Sequence, residues 1–98
     1  MTNSEQNGNT EQIDAVEFFW RPGCPFCAIL ERDLDAAAIP IRKRNIWDEP
    51  GAAEFVRSVA DGNETVPTIF VGGRAMVNPP IAAVTDLLAE VAPHLVTS

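Results

Sequence analysis

The chain has 98 residues, enough for one domain and too few for two. Its hydrophobic content of 46% fits an ordinary soluble globular fold with a small core. A net charge of −7, from 7 Lys and Arg against 14 Asp and Glu, argues against nucleic acid and anionic membrane surfaces, both of which need a basic footprint. No apolar run approaches the roughly 18–20 residues of a membrane-spanning helix.

Residues 1–12 are polar and acidic, and read as a disordered tail preceding a domain over 13–98. They carry neither the cationic nor the apolar part of a secretory leader, so the cytoplasm is the expected compartment. Residues 13–20 alternate at first and then turn wholly apolar, as a central strand does. Arg21-Pro22-Gly23 stops that strand. A helix is predicted over 25–38, with Phe26, Leu30 and Leu34 as its apolar stripe and Ile29 and Ala37 beside it. Pro25 suits a first helical position, where its missing N–H has no intrahelical partner to lose. Cys24 then falls at or next to the N-cap.

Residues 40–47 read as a second strand. Its Arg42-Lys43-Arg44 run could steer an anionic substrate, but protection of an exposed sheet edge is the favoured reading. Trp47 is expected to pack between this strand and the next helix. That helix, over 50–60, puts Ala52, Phe55, Val56 and Val59 on one face and ends at Asp61-Gly62-Asn63. A short β-branched strand follows at 68–71. Gly72-Gly73-Arg74 turns into a fourth strand around 75–77. After Asn78-Pro79-Pro80, a last helix carries Ile81, Val84, Leu87, Leu88 and Val91 on a wide apolar stripe. The order β-α-β-α-β-β-α implies an α/β fold, a four-stranded mixed sheet with helices on both faces.

The chemistry concentrates at Cys24-Pro25-Phe26-Cys27. A cysteine at a helix N-terminus has its thiolate favoured by unpaired backbone N–H groups and by the helix dipole. A second cysteine three residues later lies one turn into the same helix, within reach of a bridge. Cys24 is therefore read as the exposed nucleophile and Cys27 as the buried resolving thiol. C-x-x-C also occurs in zinc sites, but between a strand and a helix of a β-α-β unit it points to disulfide exchange. A structural zinc needs about four ligands, and the other candidate here, His94, reads as a solvated helix-end residue. No metal is expected. Val66-Pro67 precedes the third strand. A trans proline opening that strand is one reading; beside a strand-end C-x-x-C, a cis proline facing Cys24 is the one adopted.

Trp20-Arg21-Pro22-Gly23-Cys24-Pro25-Phe26-Cys27, Thr65-Val66-Pro67-Thr68-Ile69-Phe70-Val71 and Gly72-Gly73 together resemble a glutaredoxin, over nearly the whole chain beyond the tail. The resemblance implies a thioredoxin/glutaredoxin fold, a redox disulfide Cys24–Cys27 and a cis Pro67. It places Arg21 where glutaredoxins carry a lysine for the glycine carboxylate of glutathione. It sets Thr65 and Val66 where the backbone pairs with the cysteinyl part of a bound thiol. Val77 and Asn78 complete the expected thiol-substrate groove, and Trp20, beside the active-site loop, is read either as lining it or as a buried strand-end residue. The chain departs from the glutaredoxin pattern at Val77-Asn78-Pro79-Pro80, where a Gly-Gly and an Asp would hold the γ-glutamyl end of glutathione.

Ala52-Ala53-Glu54-Phe55-Val56, Gly62-Asn63-Glu64-Thr65-Val66-Pro67-Thr68 and Asn78-Pro79 resemble the mycoredoxins of actinobacteria, which use the sugar-based thiol mycothiol. The implied function is reduction of mixed disulfides between proteins and a low-molecular-weight thiol, mycothiol before glutathione, as a co-substrate and not a tightly bound cofactor. The implied partners are S-thiolated or disulfide-containing proteins and a disulfide reductase system; a monomer is expected. The competing functions are a dithiol electron donor to ribonucleotide reductase recharged by thioredoxin reductase and, with less support because Pro25 stiffens the loop, an iron–sulfur carrier.

Overall fold

The computed structural model describes residues 13–96. The tail expected over 1–12 and the last two residues of the 13–98 domain lie outside the described residues. Four strands, β1 (Val16–Trp20), β2 (Ile41–Asn45), β3 (Thr68–Val71) and β4 (Arg74–Val77), alternate with three helices, α1 (Pro25–Ala36), α2 (Pro50–Val59) and α3 (Ile81–Val91). A 3-10 turn, Pro93–Leu95, follows. The sheet order is β2-β1-β3-β4, with β1 parallel to β2 and antiparallel to β3, and β3 antiparallel to β4. This is the mixed four-stranded architecture expected from the element order.

Side-chain alternation along β1 divides the core into two layers. Val16 and Phe18 meet Leu30 and Leu34 of α1, Val84, Leu87 and Leu88 of α3, and Ile69 and Val71 of β3. Phe19 points to the opposite face, against Ile46, Ala52, Ala53 and Val56. There Phe55 stacks on Phe19 at 4.9 Å between ring centroids and meets Phe70 edge-on at 5.1 Å. A strand buried on both faces reads as an apolar run, which is why β1 turns fully hydrophobic toward its end.

Boundaries differ from the sequence reading for local reasons. β1 begins at Val16, three residues later than expected, where its N–H first finds Pro40 across the sheet at 2.9 Å. β2 covers 41–45 instead of 40–47. Helix α1 stops at Ala36 because Ala38 turns left-handed, with φ of 58°, and the N–H groups of Ala37, Ala38 and Ile39 return to the carbonyls of Asp33, Asp35 and Leu34. Its buried stripe is Cys27, Leu30 and Leu34. Leu30 and Leu34 are buried as expected, but Phe26, expected with them, is 62% exposed. Of the residues expected beside the stripe, Ile29 is 46% exposed and Ala37 is exposed as well. The difference is one residue round the helix at its first turn, where the core takes Cys27 in place of Phe26. Trp47, expected to pack, is also 62% exposed.

β2 is an edge strand, and its cations are all paired. Arg42 bonds Glu17 at 2.6 Å and Asp14 at 3.0 Å; Arg44 bonds Glu49 at 2.7 Å and Glu17 at 3.3 Å; Lys43 reaches Glu31 at 3.2 Å. Both guanidinium groups are held above their ordinary pKa, Arg42 chiefly by its hydrogen bond to Glu17 and Arg44 chiefly by that to Glu49. A neutralised charged edge discourages pairing with another strand and makes a poor steering patch. Among the described residues, no helix is long and apolar enough to cross a membrane.

The β3–β4 hairpin closes through Gly72 and Gly73, both at positive φ, 58° and 77°, as a two-residue turn between twisted strands requires. A Cβ on Gly72 would sit 2.7 Å from Val91 Cβ on α3, whereas one on Gly73 would meet nothing within 4 Å. Gly72→Ala is therefore expected to cost about 2–4 kcal/mol, from backbone strain plus overpacking. Gly73→Ala should cost about 1–2 kcal/mol, from strain alone. Urea unfolding of the two variants measures the difference.

Candidate active site

The site is built where β1 ends and α1 begins. Gly23, at φ of 75°, turns the chain out of the sheet, and Cys24 takes the extended conformation of an N-cap with Pro25 entering the helix behind it. The Cys27 N–H donates to Cys24 Sγ at 3.1 Å. A sulfur thus fills the place that serine or aspartate oxygens fill at most helix starts, satisfying one orphan N–H of the first turn. Cys24 and Cys27 are joined as a disulfide, with their Cα atoms 5.2 Å apart. Exposure separates the two less than expected: Cys24 is 9% exposed and Cys27 3%. The walls around Cys24 account for its enclosure, since Val66 and Trp20 pack against the same core layer.

The second wall comes from the loop before β3. The Val66–Pro67 bond is cis, and the Val66 carbonyl oxygen lies 3.7 Å from Cys24 Sγ. In the disulfide that sulfur has no hydrogen to donate, so the approach is a contact; in a thiol it becomes a weak hydrogen bond. Pro67 is fully buried, while Thr65 is exposed with its carbonyl held by Thr68 Oγ1 at 2.9 Å. The Pro67 carbonyl accepts the Asn78 N–H at 2.7 Å, which ties the loop after β4 to the same end of the sheet. Asn78 sits at φ of 50°, a conformation asparagine tolerates better than most residues.

The remaining expected groove residues fall on two sides. Phe26 lines a groove of about 250 Å³ with Ile29, Leu30, Asp33, Asn78, Pro79, Pro80 and Ile81. Val77, at the end of β4, is 38% exposed. On the other side Arg21 is half-buried, with its Nη1 donating to the Pro22 carbonyl at 3.2 Å, and its guanidinium lies over the Trp47 ring, 5.7 Å from the centroid. Pro22, Gly23 and Pro25 are exposed. Trp20 is half-buried, packs on the core and carries the Lys43 ammonium over its ring at 4.5 Å. A larger cavity of about 460 Å³ lies between α1 and β2, lined in part by Glu31, Asp35 and Lys43, and neither cysteine lines it.

Sequence reasoning missed Ile29, Asp33 and Trp47 as neighbours of this site. The signal for Trp47 was its place after Ile46: side chains at a strand end alternate, and Ile46 is the one that turns inward, 4% exposed. Among the described residues, no group of three or more histidine, cysteine or acidic side chains is gathered to hold a metal. His94 donates from Nε2 to the Ile13 carbonyl at 2.6 Å, far along the chain from the cysteines.

With this geometry in view, comparison with known proteins is decisive. The sequence model of the family Glutaredoxin matches residues 16–76. Strains of Mycobacterium tuberculosis carry a protein named as a glutaredoxin, Rv3198A in H37Rv and MT3292 in CDC 1551, that is 35% identical over 79 residues. That match covers 80% of this chain and 94% of the relative. The chain belongs to the glutaredoxin family. Solved structures agree on the fold. Glutaredoxin from Brucella melitensis superposes with a TM-score of 0.65 at 22% identity, covering 84% of this chain and 92% of that one. The buckwheat glutaredoxin–glutathione complex gives 0.60 at 16% identity, covering 94% and 84%. This glutaredoxin is a thiol–disulfide oxidoreductase, and Cys24 and Cys27 are its redox-active pair.

The exposed face of α1 is thus part of the site region and not of the core. Phe26→Ser should change stability by no more than about 0.5 kcal/mol, as surface substitutions usually do. Leu30→Ala, one turn on and buried, should cost about 2–5 kcal/mol. Paired denaturant titrations check which stripe faces inward.

Proposed function

We propose that this glutaredoxin reduces mixed disulfides between proteins and a low-molecular-weight thiol in the cytoplasm, with Cys24 as nucleophile and mycothiol as the thiol. The observation that carries the reading is the Cys24 sulfur at the N-cap of α1, accepting the Cys27 N–H. That N–H and the helix dipole favour negative charge on the sulfur, and a thiolate is the attacking species.

The Cys24 thiolate attacks the small thiol's sulfur, forming a Cys24–small-thiol disulfide and expelling the protein thiolate, which takes a proton from water. Two exits follow. A second small thiolate attacks the small-thiol sulfur of that disulfide, regenerating the Cys24 thiolate and leaving a symmetrical small-thiol disulfide. Alternatively, the Cys27 thiolate attacks Cys24 Sγ, releases the small thiol and forms the Cys24–Cys27 disulfide, which then needs two electrons from a further thiol or a reductase. The Val66 carbonyl, 3.7 Å from Cys24 Sγ, supports pairing of that backbone with the thiol's own amide, which leaves specificity to more distant contacts.

Those contacts support mycothiol over glutathione. At the stretch where the family pattern has Gly-Gly and Asp, Pro79 and Pro80 have no backbone N–H, and that of Asn78 is spent on Pro67. The loop therefore presents neither an acid nor those donors to a γ-glutamyl group. One observation favours glutathione instead: Asp33 on α1 lines the adjoining groove, where a carboxylate could meet an ammonium. Arg32 already engages it at 3.3 Å, which weakens that use.

Cys24→Ser should abolish reduction of every mixed disulfide, and Cys27→Ser should retain reduction of a mycothiol mixed disulfide with mycothiol as reductant. With the same peptide carrying either thiol, turnover should be faster for mycothiol by about tenfold or more, a difference of roughly 1.4 kcal/mol. Faster turnover of the glutathione disulfide would overturn the choice of thiol.

A further inference from the structure

Trp47 is unexplained by packing. Its ring is 62% exposed, yet the loop carrying it is held closely. The Asn45 side chain accepts the Trp47 N–H at 2.9 Å and donates to Asp48 at 3.2 Å, while the Asn45 carbonyl accepts the N–H groups of Asp48 and Glu49. Ile46 donates to the Trp20 carbonyl at 3.0 Å, fastening this loop to the end of β1 from which the active-site loop departs. The Arg21 guanidinium over the ring completes the arrangement. Arg21 lies three residues before Cys24, so at most about 11 Å of chain separates them.

An exposed indole ring with a guanidinium over it presents aromatic surface and N–H donors together, and that is a recognisable chemistry. Sugar rings present axial C–H bonds on one face, which rest on an aromatic ring, and hydroxyls around the rim, which accept from N–H donors. Stacking uses a guanidinium's face and leaves its in-plane N–H groups as donors, one of which goes to the Pro22 carbonyl. We propose that Trp47 and Arg21 form a stacking platform, next to the active-site loop, for a sugar ring of the small thiol. The inference rests on the mycothiol reading above and deepens it by naming the residues that select a sugar-bearing thiol. It adds to the expected role of Arg21, as a cation for a carboxylate, that of a donor for hydroxyls.

The test uses the Cys27→Ser protein, in which attack by Cys24 is read as a single event. Its second-order rate constants are measured on one peptide carried as a mixed disulfide with mycothiol or with 2-mercaptoethanol. Trp47→Ala in that background should lower the ratio of the two constants about three- to tenfold, and Trp47→Phe, which keeps an aromatic face, should restore much of it. A ratio unchanged by Trp47→Ala overturns the platform. So does an equal fall of both constants, which would show that Trp47 meets the peptide and not the thiol. A parent protein that reacts equally with both disulfides overturns the sugar-thiol reading itself. A parent that reacts with neither overturns Cys24 as nucleophile. Thermal unfolding of the Trp47 variants confirms that each compared protein is folded.

Discussion

A single backbone N–H pointing at a sulfur organises this molecule. The bond from Cys27 N–H to Cys24 Sγ requires a helix that begins directly at Cys24, and that requires β1 to end four residues earlier. β1 in turn has to be buried between β2 and β3, so that its end is held by neighbours on both sides. Gly23 supplies the left-handed turn between the two elements, and Pro25 enters the helix where it costs no hydrogen bond. Chemistry and fold therefore share one constraint: the group that caps the helix is also the group that reacts.

Two other features follow from that placement. The cis Val66–Pro67 bond and the Asn78 N–H on the Pro67 carbonyl bring two loops of distant sequence to the same end of the sheet. They enclose Cys24, which explains why it is little more exposed than Cys27 although one is read as nucleophile and the other as resolving thiol. The groove between α1 and the 78–81 loop and the pair of Trp47 and Arg21 are the surfaces proposed to meet substrate around that sulfur. Electrostatics along the β2 edge of the sheet is self-contained, because its three cations answer to Asp14, Glu17, Glu31 and Glu49.

The element order, the two-faced sheet and the position of Cys24 were legible because each rests on local chemistry. Proline fits a first helical turn, glycines make tight turns, and apolar runs of strand length mark a central strand. What was not legible depends on tertiary choice. Periodicity placed Leu30 and Leu34 correctly but could not decide whether Phe26 or Cys27, one residue round the helix, joins them in the core. Trp47 was misplaced for a related reason: with β2 read two residues too far at its C-terminal end, the tryptophan fell within the strand and not on the loop beyond it. The end of α1 at a left-handed Ala38 had no glycine to announce it.

The central claim, that the capping sulfur is the nucleophile, is open to a direct measurement. The reduced protein is treated with limiting iodoacetamide between pH 5 and 7, and the labelled cysteine is located by peptide mass spectrometry. Cys24 should be alkylated at least about tenfold faster than Cys27, because the thiolate is the reacting species and the helix start favours it there. Equal labelling, or labelling of Cys27 first, would contradict the account.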